Sequence, residues 1–114
     1  MELDDRELEE IRRRKLLELQ RQLEEEQKRR ELEARIEAER QAFLRRVLTS
    51  KARERLANLK LARPELARAA EDAIIQLVQA GRLQPPVDDD VLVEILLELD
   101  RANRKEFKIK FKRK

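Results

Sequence analysis

The side chains best suited to moving protons, attacking electrophiles or binding metals are missing from this chain. It has no histidine and no cysteine, which removes the usual general base at neutral pH, the usual zinc ligand, thiolate metal sites and any disulfide. Carboxylates and lysines are plentiful, but no Gly-rich phosphate loop and no metal-ligand cluster accompanies them. The residue types point away from an enzyme and imply neither cofactor nor metal. What remains is charge chemistry, and it is concentrated at one end. Residues 101–114 carry eight basic side chains, Arg101, Arg104, Lys105, Lys108, Lys110, Lys112, Arg113 and Lys114, against Glu106 alone, a net +7. The whole chain nets only +3, because residues 1–46 net −1 and residues 47–100 net −3. A cationic run of this density suits a polyanion whose phosphates it neutralises with release of counterions.

Within that run Phe107, Lys108, Ile109, Lys110, Phe111 and Lys112 alternate apolar and basic residues with period two. On an extended segment this puts lysines on one edge and apolar groups on the other. Three readings are open. The segment can be an arm on nucleic acid, with lysines on phosphates. It can be a short β-segment packed on helices, with solvated lysines. It can also lie on an anionic membrane surface, although no strongly amphipathic basic helix supports that.

Further candidates lie upstream. Lys51 and Arg55 border one side of an apolar stripe made by Ala52, Leu56 and Leu59, while Arg53 and Lys60 border the other. That pattern fits side chains snorkelling around a buried stripe, and Lys51 and Arg55 can still join a composite surface with the tail. Val93 and Leu97 fall off the main apolar face of the last helix, either as a docking patch for a protein partner or covered by another segment. The basic runs at residues 12–15 and 28–30 are bracketed by glutamates, so their fields largely cancel.

Helices must position these groups. The first 63 residues contain neither glycine nor proline and are rich in Leu, Glu, Arg, Lys, Gln and Ala. Glutamates precede basic residues by four positions at Glu2/Arg6, Glu9/Arg13, Glu10/Arg14, Glu24/Lys28, Glu25/Arg29, Glu26/Arg30 and Glu31/Arg35. Each pair adds about 0.2–0.5 kcal/mol to a helix that needs little packing. The apolar stripe Leu8, Ile11, Leu16, Leu19, Leu23 stops at the wholly polar residues 24–31, which argues against a long dimeric coiled coil and for a monomer. From Ala34 the apolar spacing tightens through Ile36, Phe43, Leu44, Val47 and Leu48. Thr49 and Ser50 offer caps for a second helix, and Pro64 with Glu65 suits the start of a third. In that third helix Leu66, Ala67, Ala70, Ala73, Ile74, Leu77 and Val78 cover about half the circumference, which predicts a central helix with Leu77 in its core. Gly81 ends it as a left-handed cap, Pro85 and Pro86 stiffen the connection, and Asp88, Asp89 and Asp90 begin a last helix that ends near Arg101.

The expected architecture is all-α: a compact bundle of three main helices over residues 34–101, a charged helical arm at 1–33 and a basic tail at 102–114. No apolar run approaches the roughly 20 residues that span a bilayer. The start Met-Glu-Leu-Asp-Asp lacks the pattern of a signal peptide. The expectation is therefore a cytoplasmic protein that does not enter membranes.

A longer pattern runs through the middle of the chain. Ala52-Arg53, Arg55-Leu56, Asn58-Leu59, Leu61, Pro64-Glu65, Glu71, Ile75-Gln76-Leu77, Gly81 and Leu83 resemble, at matching separations, the signature of the programmed cell death protein 5 family. The likeness continues more weakly through Leu92, Ile95 and Leu96 into the basic tail. It implies a small protein of the family's short type that binds double-stranded DNA. The signature residues are mostly apolar or helix-punctuating, so the resemblance specifies a scaffold and supplies no mechanism. The alternative is an interaction or assembly factor that binds a protein partner through its helical faces.

Overall fold

A computed structural model describes the backbone of residues 2–112 and the side chains of residues 2–104. The named elements of the described chain are all helices, α1 at Asp5–Val47, α2 at Ser50–Ala62, α3 at Pro64–Gln79 and α4 at Asp89–Lys112. This is the all-α class that the helical spacing predicts. Two units divide it, Met1–Glu39 and Arg40–Lys114.

The first unit is a charged stretch of α1. Asp4 caps it, accepting at Oδ1 from the Glu7 amide at 2.8 Å. Leu16, Leu17, Leu19, Leu23, Leu32 and Ile36 are all more than half exposed. Ile36, expected to open the core, is not in it. Local ion pairs support this stretch: Arg30 Nη2 lies 2.8 Å from Glu26 Oε1, and Arg21–Glu25 and Arg29–Glu33 approach at 4.0 and 3.9 Å.

The second unit holds the core. Leu44 and Val47 come from the end of α1, Leu48 from the α1–α2 junction, Ala52 and Leu56 from α2, Ala70 and Ile74 from α3, Val87 from the loop before α4 and Leu92 from α4. Ile74, Leu92 and Val87 are the largest side chains sealed from solvent. The centre of α3 therefore falls at Ile74, one turn before the Leu77 that the sequence suggests; Leu77 is only half-buried.

Local chemistry explains the ends. Thr49 accepts at Oγ1 from the Ala52 amide at 3.3 Å and starts α2, while Pro64 takes the first position of α3, where a missing N–H has no consequence. Gly81 has φ +73°. With it the Gly81 amide donates to Val78 O (3.1 Å) and the Arg82 amide to Leu77 O (2.9 Å), the paired bonds of a Schellman motif. Asp88 caps α4 by accepting from the Val91 amide at 2.9 Å.

One element has no local signal. The Thr49 amide donates to Val87 O at 3.0 Å, and the Val87 amide donates to Val47 O at 2.7 Å. This single parallel bridge ties the α1–α2 junction to the loop before α4. It satisfies backbone groups that two helix ends would otherwise bury unpaired.

The C-terminal segment departs from the extended reading. α4 does not stop near Arg101 but continues to Lys112. Two-residue alternation describes a strand only where strand geometry is available; with no glycine or proline after Pro86, nothing interrupts the helix already under way.

Candidate nucleic-acid interface

Basic residues on the second unit fall into two groups, those spent on internal carboxylates and those left over. Arg55 belongs to the first. Its Nε donates to Asp89 Oδ1 at 2.5 Å and its Nη2 to Asp89 Oδ2 at 2.9 Å, the two-point geometry that makes arginine–carboxylate pairs strong and directional. The hydrogen bond from Arg55 holds the Asp89 carboxyl below its ordinary value, against an opposing push from desolvation; the charges of Arg55 and Lys51 assist. Arg55 is correspondingly raised, first by the same hydrogen bond and then by the charge of Asp89. Lys51, the other upstream candidate, is exposed and lines the same open cleft with Glu54, Arg55, Asn58 and Asp89.

A second internal cluster surrounds Glu71, which is only 3% exposed. Gln41 Nε2 donates to its Oε2 at 3.2 Å, and Lys60 Nζ lies 3.6 Å from that oxygen. Arg40 Nη2 sits 3.7 Å from Glu71 Oε1 and 2.5 Å from Asp72 Oδ1. Buried charges persist only when compensated in this way. Lys60 and Arg40 are thereby committed to holding α1, α2 and α3 together.

On α4, Arg101 Nη1 lies 3.1 Å from Glu98 Oε1 and Arg104 Nη2 lies 3.3 Å from Asp100 Oδ2, both side chains remaining well exposed. Arg63, from the α2–α3 junction, reaches the other oxygen of Asp100 at 3.3 Å. These contacts bring Arg63 to the root of the basic segment, a grouping the sequence reading lacked. The side chains of Lys105, Lys108, Lys110 and Lys112 lie outside the described residues, as do Arg113 and Lys114 altogether. Their backbone through Lys112 continues α4, so the segment starts from the same helix that carries Arg101 and Arg104.

The candidate partner-docking pair divides: Val93 is half-buried, and Leu97 is 57% exposed. Among the described residues no group of carboxylates is arranged to hold a metal ion, and no helix is long and apolar enough to cross a membrane.

Asp89 and Glu71 are the residues that sequence reasoning missed. Asp89 reads as one of three equivalent aspartates at a helix start, and only the fold distinguishes it from Asp88, which caps, and Asp90, which is exposed. Glu71 had one available signal. It sits between Ala70 and Ile74 on the apolar side of α3, where a carboxylate requires cationic partners.

Comparison with known proteins identifies the family of the chain. Residues 11–114 match the model of a family described as the double-stranded DNA-binding domain. A DNA-binding protein of Aeropyrum pernix is 73% identical over 113 residues, covering 99% of this chain and 97% of its own length. Another, from Methanopyrus kandleri, is 54% identical and is covered in full by a match to 98% of this chain. In three dimensions the chain is similar to the Leishmania major programmed cell death protein 5 homolog, with a TM-score of 0.63, 24% identity and coverage of 95% of this chain and 98% of that one. That likeness is one of fold. Together the matched domain and the relatives establish that this chain belongs to the double-stranded DNA-binding domain family, and its fold is shared with a programmed cell death protein 5 homolog.

Proposed function

We propose that this protein binds double-stranded DNA without catalysing a reaction on it, mainly through phosphate contacts and with little sequence specificity. The observation that carries the proposal is the distribution of uncompensated charge. Arg40, Arg55 and Lys60 are engaged by Asp72, Asp89 and Glu71, whereas residues 101–114 set eight basic residues against one acidic, and Arg101 and Arg104 stay well exposed beside Glu98 and Asp100. Continuation of α4 gives this segment a helical register, in which Arg101, Lys105, Lys108 and Lys112 recur at spacings of four, three and four. One helical face can then follow a run of phosphates, and lysine and arginine used in this way carry no base information. The names of the relatives support the same reading.

Contact of about five charges with phosphates corresponds to a log–log salt slope near −4.5. The test is a fluorescence titration of duplex DNA at several salt concentrations with the whole chain and with a chain lacking residues 105–114. The shortened chain should bind far more weakly and with a much shallower slope.

A second reading, docking of a protein partner on Val93 and Leu97 by a monomeric cytoplasmic chain, is favoured by the exposure of Leu97. It predicts an association that survives nuclease treatment and is lost in Leu97→Ser. Association that disappears with nuclease would belong to DNA.

A further inference from the structure

Arg63, at the α2–α3 junction, and Arg104, on α4, share one carboxylate, with Arg63 Nη2 3.3 Å from Asp100 Oδ1 and Arg104 Nη2 3.3 Å from Asp100 Oδ2. Two positive charges stand against one negative, so the cluster is net cationic. The side chains stay 51% and 78% exposed. A guanidinium has five N–H donors, and a single contact to Asp100 leaves most of them for another anion. Arg55 is the instructive contrast: its two-point bond to a buried carboxylate occupies the edge that Arg63 keeps available.

A concavity of about 580 Å³ opens beside Arg63, between the start of α3 and α4. Leu66, Ala69 and Leu99 give it an apolar lining, Arg63 and Asn103 offer donors, and Glu65 adds one carboxylate. Apolar walls beside a cationic edge suit the sugar-phosphate backbone, whose sugars are largely carbon and whose phosphates are anionic. Hydrogen-bond lengths place guanidinium groups on opposite oxygens of one carboxylate roughly 5–8 Å apart. Over such a distance one strand of duplex DNA presents about two charges, at 3.4 Å of axis each.

We infer that Arg63 and Arg104, bridged by Asp100, form a phosphate-binding site on the helical core that receives the DNA backbone beside the basic segment. The site extends the interface from the C-terminal end of α4 to the α2–α3 junction, and it rests on the DNA-binding reading above. Asp100 positions the two arginines. Arg63 contributes one phosphate contact that the basic segment cannot supply.

The test uses the full chain and duplex DNA, measured by fluorescence anisotropy over a salt series. Arg63→Gln should make the log–log slope shallower by about 0.9 and weaken binding about eight-fold at 0.1 M salt. Arg63→Lys, which keeps the charge, should keep the slope. Ala102→Glu puts a negative charge into the concavity from an exposed position; it should weaken binding with an unchanged thermal midpoint, and it reads the site independently if Arg63→Gln unfolds the chain. Unsubstituted chain that binds, with Arg63→Gln folded and Ala102→Glu both retaining its affinity and slope, would overturn the site. Failure of the unsubstituted chain to bind duplex would instead overturn the proposed function on which the site depends.

Discussion

Arg55 and Asp89, thirty-four positions apart, meet through two hydrogen bonds of 2.5 and 2.9 Å and fasten α2 to the first turn of α4. The pair engages an arginine that stays about half exposed and gives a buried carboxylate its partner. Because the folded state lowers the carboxyl of Asp89, its contribution is fully present above the unfolded value near about 3.9 and is lost as pH falls through the folded one. Denaturant melts from pH 6 to pH 2 should show stability falling below about pH 4. Asp89→Asn should be less stable at pH 6 and should lose less on acidification. A variant with an acid limb as steep as the parent's would contradict this role.

Ile74 and Leu77 separate the centre of the core from its margin. Ile74 is sealed and Leu77 half-buried, so Ile74→Ala should cost about 2–5 kcal/mol and Leu77→Ala clearly less. Urea melts of the two variants side by side decide the order.

Glu71 is held by Gln41, Lys60 and Arg40. Glu71→Ala removes a carboxylate that flanks Arg40, whose side chain is only 15% exposed. The expected loss is about 3 kcal/mol, because removing one partner of a buried pair strands the other. Equilibrium unfolding measures it.

Gly81 tests backbone conformation free of packing. A Cβ there meets no heavy atom within 4 Å, yet φ is +73°. Gly81→Ala should therefore destabilise by about 1 kcal/mol, and Gly81→Asn by less, since asparagine tolerates the left-handed region better. Equal losses in the two thermal melts would assign the effect to something other than φ.

The local grammar of the fold was open to reading. Thr49 caps, Pro64 begins a helix and Gly81 ends one because each acts within a few residues of itself. The Leu48–Val87 bridge and the Arg55–Asp89 pair join positions more than thirty apart and leave no periodic trace. A broad apolar face fixes which side of α3 is buried and not which turn lies deepest, so the pattern points to Leu77 where the structure centres on Ile74. At the C-terminal end the alternation of residues 107–112 suggested an extended arm, while the lack of glycine or proline after Pro86 was the better guide. For the proposed interface, net charge marks the basic segment, but the joining of Arg63 to Arg104 by Asp100 is visible only in the fold.

The central claim is that the basic end of α4 carries binding to duplex DNA. It is tested most directly by the salt dependence of duplex affinity for the whole chain and for the chain lacking residues 105–114. A slope near −4.5 or steeper is expected for the whole chain and no steeper than about −2 for the shortened one, with affinity falling accordingly. Identical slopes and affinities in the two chains would contradict it.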